Sequence, residues 1–230
     1  MKKLILTPIL FLVIFLAHAQ LNVTGQATLS VQPERTTISY AINETKDSYD
    51  EALTTMTNRI DVLTKSLTKI GFKKEDIKTS NFNIRQNRKY RQNEPKGFEY
   101  VASQTLMIEF DHSTKRLLEV LNKTASDEAA PGVSISFGMS DEQTQKVKTQ
   151  LMQMAVSDAK AKAETLASAT GYTIKGIKEI NYGSGSSQPR PYAASQMGMM
   201  KSFAESDMSN FEAQDLTVSD QVFISYEIMK

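Results

Sequence analysis

At 230 residues, with 40% hydrophobic side chains and a formal charge of +1, the chain is long enough to bury one sizeable core or two small ones, which excludes disorder throughout. Near neutrality removes any global electrostatic pull toward nucleic acid. The absence of cysteine excludes disulfides, thiolate nucleophiles, cysteine metal sites and a lipidated cysteine anchor.

The first residues, MKKLILTPILFLVIFLAHAQ, set Lys2 and Lys3 before an apolar run from Leu4 to Leu16 and close on Ala17-His18-Ala19. This is the grammar of a secretory signal peptide over residues 1–19, with cleavage expected before Gln20. The apolar run, about 13 residues and interrupted by Pro8, falls short of the ~20 that span a bilayer. No later segment approaches that length, so a mature chain without a transmembrane segment, periplasmic or secreted, is expected. Loss of Lys2 and Lys3 from the 27 basic residues leaves one fewer than the 26 acidic ones, a formal charge of −1.

Leu21, Val23, Ala27, Leu29 and Val31 alternate with polar neighbours. After the turn at Gln32-Pro33-Glu34, Thr36, Ile38, Tyr40 and Ile42 do the same, so two half-buried strands are predicted. Ser48 followed by Glu51 reads as a capping box, and Tyr49, Leu53, Met56, Ile60, Leu63, Leu67 and Ile70 recur at helical spacing until Gly71. That predicts an amphipathic helix of about six turns. A strand from Phe82 toward Tyr90 and its return from Phe98 to Phe110 form a long hairpin. A short helix from about Thr114 to Lys123 follows, then a strand through Val133, Ile135, Phe137 and Met139.

Ser140 and Gln143 repeat the capping-box spacing. In the helix that follows, Val147, Leu151, Ala155, Ala159, Ala163, Leu166 and Thr170 form a narrow inward stripe. Its alanines let the helix axis lie close to a neighbour, so AVSDAKAKAETLASATG is read as a packing helix. Gly171 ends it, and Ile174, Ile177 and Ile180 lead into another strand. Residues 183–215, rich in Gly, Ser, Pro and Met, read as a long flexible loop. Val222, Ile224, Tyr226 and Ile228 form a last strand expected to pair with an earlier part of the sheet. The order β-β-α-β-β-α-β-α-β-β defines an α+β fold of mainly antiparallel sheets with two long helices, arranged as two-layer, sandwich-like modules that interleave along the chain. Each long helix ends in a glycine and an aromatic residue, Gly71-Phe72 and Gly171-Tyr172.

VTGQATLSVQPERTTISY, GFKKEDIKTSNFNI, GFEYVASQTLMIEF, PGVSISFGMSDEQ, AVSDAKAKAETLASATG and LTVSDQVFISYEI, in that order over nearly the whole mature chain, resemble the SIMPL-domain family of secreted or periplasmic bacterial proteins. The resemblance implies a two-layer α+β fold, an envelope role linked to oxidant tolerance, and no established catalytic residue or cofactor. Two turns depart from the family pattern. Glu34 stands where an Asp is usual, and Val218-Ser219-Asp220 replaces a Gly-Glu pair before the last strand.

The candidate chemistry is sparse. Asp111-His112-Ser113 has the residue types of a hydrolytic triad, but adjacent residues seldom build that geometry, and Asp111 or Ser113 suits a helix N-cap. Gly183-Ser184-Gly185-Ser186-Ser187 leads to proline rather than into a helix and lacks the lysine of a phosphate loop. The acidic pairs Glu75-Asp76, Asp127-Glu128 and Asp141-Glu142 suit turns and helix starts. Arg85, Arg88, Lys89 and Arg91 make the hairpin end basic, a candidate surface for an anionic envelope partner. Met197, Met199, Met200 and Met208 offer soft thioethers, suited to Cu(I) or to consuming oxidant as sulfoxide. No catalytic residue and no cofactor are assigned. The function expected is that of a non-enzymatic envelope protein forming homo-oligomers, with a soft-metal or oxidant-handling methionine loop as the alternative.

Overall fold

The computed structural model describes residues 19–89, 97–125, 132–183, 190–191 and 213–230. In chain order these form β1 (Ala19–Val31), β2 (Arg35–Lys46), α1 (Tyr49–Lys69), a 3-10 turn (Lys74–Asp76), β3 (Lys78–Arg88), β4 (Phe98–Asp111), α2 (Thr114–Ala125), β5 (Gly132–Gly138), α3 (Asp141–Thr170), β6 (Thr173–Tyr182), β7 (Arg190–Pro191) and β8 (Leu216–Met229). Among the described residues the fold is α+β, with two antiparallel sheets and three helices. The order departs from the expected one through the 3-10 turn and through β7. Arg190 and Pro191 lie within the segment read as loop, but they pair with Thr217 and Leu216 of β8.

Two compact units divide the chain: Thr28–Thr149 with Ser187–Val218, and Met1–Ala27 with Gln150–Ser186 and Ser219–Lys230. The first holds the sheet β3-β4-β2-β5. Its register sets Ile38 opposite Ile108 and Ile135, and Tyr40 opposite Leu106 and Val133, so one row of each strand faces the same side. Thr36, Ile38, Tyr40 and Ile42 are buried as the alternation predicts. Against them pack Ala52, Met56, Leu63 and Leu67 of α1 and Leu117 and Val120 of α2. Each large side chain buried in this way contributes about 1.5–3 kcal/mol. Tyr49 departs from the expected inward row. It is 48% exposed, and its ring meets Tyr100 edge-on at 6.1 Å.

The helix ends follow the sequence signals. Ser48 Oγ accepts the Glu51 N–H at 3.2 Å, and Ser140 Oγ accepts the Gln143 N–H at 3.0 Å. The Gln143 side chain does not turn back to complete a capping box, since its Nε2 donates to the Gln32 carbonyl at 2.8 Å. At the C-termini, Gly71 (φ 97°) and Gly171 (φ 73°) take the left-handed conformation. The following aromatic N–H groups, of Phe72 and Tyr172, donate back to the Leu67 and Ala167 carbonyls. Both helices therefore close with the same Schellman turn, which explains the paired Gly-aromatic endings.

The second unit holds the sheet path β1-β8-β6. The last strand returns to lie between the first strand and β6, as expected of a terminal strand. Val23, Ala27, Val222, Ile224 and Tyr226 are buried on this sheet. Along α3 the buried residues are Val147, Leu151, Ala155, Ala159, Ala163 and Ala167. Ala167 replaces the expected Leu166, which is 46% exposed, and Thr170 instead back-bonds to the Leu166 carbonyl. Each four-residue step overshoots one turn by roughly 40° at 3.6 residues per turn, so the row winds around the helix and by its last turn falls on 167 rather than 166.

Candidate functional site

Gly25 explains why the stripe is made of alanine. A Cβ built on Gly25 would lie 1.9 Å from the Ala155 carbonyl oxygen and 2.7 Å from the Ala159 Cβ. The strand backbone thus lies directly on the helix, and small side chains on both elements permit that approach. The same helix reaches over the outer edge of β1. Asp158 accepts the Gln26 backbone N–H at 2.8 Å, while Lys162 Nζ donates to the Thr24 carbonyl at 3.1 Å and to Asp158 at 2.6 Å. The hydrogen bond from Lys162, and after it the one from Gln26, holds the Asp158 carboxyl below its ordinary pKa. An edge strand presents unpaired N–H and C=O groups to any passing strand, and here two of those groups are occupied by side chains of the same chain.

The opposite edge is different. β6 is exposed along nearly its whole length and pairs with β8 through two register shifts, one between Ile174 and Gly176 and one between Ile177 and Glu179. Each shift is a bulge that spends one extra residue, Lys175 or Lys178. As a result Ile174, Ile177 and Ile180 sit opposite Ile228, Tyr226 and Ile224, of which Tyr226 and Ile224 are buried, so the three share one face of the sheet. Three residues apart would ordinarily mean opposite faces of a strand, so the bulges are what put the isoleucines in one row. Ile177 is nonetheless 55% exposed and Ile180 56% exposed, and Met152 and Val156 of α3 are exposed as well.

A buried carboxylate lies on β8. Asp220, 6% exposed, accepts the Tyr182 phenol at 2.6 Å and the Gln221 N–H at 2.8 Å. Acceptance by Asp220, then burial, raises the Tyr182 pKa above its usual 10.0. A raised phenol pKa means that the bond stabilises the fold fully below about pH 10 and loses that contribution as pH rises through the folded-state value. Tyr182→Phe should therefore cost about 1 kcal/mol at neutral pH, with the deficit relative to wild type shrinking in alkaline solution. Urea unfolding at pH 7 and above pH 10 measures it, and a deficit that does not change with pH would exclude the phenol–carboxylate bond as its source.

Among the described residues, the other candidates do not converge on a reaction centre. His112 Nδ1 lies 2.8 Å from Thr36 Oγ1 and its ring meets Phe137 edge-on, while Ser113 Oγ accepts the Arg116 N–H as the cap of α2. Asp111 is turned away to Arg35, which also binds Glu109 at 2.8 Å. Glu75 and Asp76 sit in the exposed 3-10 turn, Asp141 and Glu142 in the first turn of α3. Asp127, Glu128 and 184–187 lie outside the described residues. Among the basic candidates, Arg88 pairs with Phe98 across the hairpin and stacks over its ring at 6.0 Å, whereas Arg85, opposite Val101, falls on the other face. Lys89 is bound to Asp47 at 2.6 Å. Arg91, Met197, Met199, Met200 and Met208 lie outside the described residues.

Two shallow grooves stand out among the described residues. One of about 350 Å³ is lined by Asp61, Thr64, Lys65, Thr68, Lys69 and Lys74. The other, about 590 Å³, runs between β1 and α3 past Asn22, Thr24, Lys162 and Leu166. Neither gathers a nucleophile with a base. Among the described residues no cluster of His, Asp and Glu has the makings of a metal site, and no helix is long and apolar enough to cross a membrane. The feature best formed for recognition is thus the exposed isoleucine row of β6, which sequence reasoning placed on a strand without seeing that it forms one face. Its signal was the spacing of three, foreign to a regular strand, whose faces repeat every two residues.

Residues 21–226 match the family described as SIMPL, protein of unknown function (DUF541). The chain is also 23% identical over 217 residues to a 26 kDa periplasmic immunogenic protein of Brucella melitensis biotype 1, an alignment covering 91% of this chain and 85% of that relative.

Proposed function

The chain belongs to the SIMPL family, and from that premise we propose that it is a non-enzymatic cell-envelope protein, periplasmic or secreted, that acts by associating with itself and with other envelope components. The observation that carries this reading is the contrast between the two edges of one sheet: β1 is engaged by Asp158 and Lys162, while β6 presents Ile177 and Ile180 to solvent. Contiguous exposed apolar surface of that kind marks interaction sites. The periplasmic relative supports the compartment. A part in oxidant tolerance rests on Met197, Met199, Met200 and Met208, whose thioethers take up oxygen as sulfoxide in a chain that has no thiol to do so. Sedimentation velocity over a wide concentration range tests self-association. Species larger than the monomer are expected, and a monomer at every concentration would overturn the proposal.

A further inference from the structure

With Tyr172 just before it, the β6 strand reads Tyr172-Thr-Ile-Lys-Gly-Ile177-Lys-Glu-Ile-Asn-Tyr182, and the sequence is self-complementary about Ile177. Inverted on itself, it sets Tyr172 opposite Tyr182, Ile174 opposite Ile180, Lys175 opposite Glu179, and Ile177 opposite its own copy. The equal spacing of the isoleucines preserves this match. Ile174 to Ile177 and Ile177 to Ile180 are both three-residue steps containing one bulge, so a step in one strand faces an equal step in the inverted one. Building on the self-association proposed above, we propose that β6 is the strand through which two copies of this chain join, antiparallel about a twofold axis at Ile177, continuing the sheet from one protomer into the next.

The lysines at the bulges sharpen the choice of partner. Bulges and lysines on an edge disfavour pairing with arbitrary strands, because the edge twists away and a charge must be matched. A second copy of β6 meets Lys175 with Glu179 on both sides of the axis, which a foreign strand meets only by accident. It also brings six isoleucines, three from each protomer, onto the same side of the joined sheet, where Ile177 and Ile180 are left more than half exposed in the single chain. An isologous contact of this kind closes after two copies and cannot run on into a fibre. The β1 edge, already bonded to Asp158 and Lys162, is the poorer candidate for the same role.

Two measurements on the full chain as purified test the pairing. Lys175→Glu and Glu179→Lys each place like charges opposite one another, so each should raise the dimer dissociation constant roughly tenfold or more, while the double swap restores opposite charges and should bring it back near wild type. Circular dichroism checks that these exposed substitutions leave the fold intact. Because the chain has no cysteine, Ile177→Cys introduces a single thiol beside its own copy, within the separation a disulfide spans. Oxidation should trap a covalent dimer, and Thr24→Cys on the β1 edge should not. If the wild type self-associates but the double swap fails to restore affinity, or Cys at 177 fails to cross-link, the β6 register is overturned and self-association through another surface stands. A wild type that is monomeric throughout overturns both.

Discussion

Ala159→Leu is expected to lower stability by about 1–3 kcal/mol, the range typical of overpacking a close-packed core, while Lys160→Leu leaves it nearly unchanged. Ala159 has no exposed surface, and its backbone nitrogen and Cβ lie within 3 Å of the place a Gly25 side chain would occupy. The added leucine atoms have to displace either the strand or the helix. Lys160 is 69% exposed and reaches only a distant Glu164 at 3.9 Å, a surface pair of little worth. Gly25→Ala should cost at least as much as Ala159→Leu, because its new Cβ meets the Ala155 carbonyl oxygen, part of the helix backbone, at 1.9 Å. For the same reason Ala159→Gly should not rescue Gly25→Ala: it removes one clash and leaves the carbonyl. Thermal unfolding reads these differences at roughly 2–4 °C per kcal/mol for a chain of this size. Equal losses for Ala159→Leu and Lys160→Leu would show that α3 presents a different face to the sheet.

How much of this was legible in the sequence depends on the range of the interaction. The alternation in β2, the Ser caps of α1 and α3, and the Gly-aromatic endings are local rules, and the structure follows each of them. Gly25 is silent in the sequence, because a glycine in an alternating row shows only a missing side chain. Its need for close approach exists only once α3, more than a hundred residues away, lies against it. Leu166 and Ala167 are neighbours that both fit a helical face, and the winding of the buried row decides between them. The basic residues failed in a different way: Arg85 and Arg88 are close in sequence, but strand alternation sends their side chains to opposite faces. The bulges of β6 are set by pairing with β8, so the common face of Ile174, Ile177 and Ile180 became visible only with the register.

Arg116→Ala should destabilise the chain by about 2–3 kcal/mol, because one guanidinium serves two helices at once. Its Nη2 donates to the Ile70 carbonyl at 2.5 Å, one of the acceptors left without an intrahelical donor at the end of α1. Its plane stacks over the Phe72 ring at 4.9 Å, the residue that closes the Schellman turn, and its Nη1 binds Glu119 one turn further along α2. Phe72 itself packs edge-to-face on Phe110 at 5.7 Å and is 7% exposed, so losing the guanidinium uncovers a core aromatic. The charge-assisted bond to a helix-terminal carbonyl and the cation–π contact carry the effect, whereas the half-exposed Glu119 contributes little. Glu119→Gln should therefore cost no more than a few tenths of a kcal/mol, and Arg116→Lys should recover only part of the loss, since an ammonium can donate to Ile70 or sit over Phe72 but lacks the planar fork that does both. Urea denaturation of the three variants separates these contributions. A loss in Arg116→Ala no larger than that in Glu119→Gln would mean that the ion pair, and not the junction of α1 with α2, is what Arg116 provides.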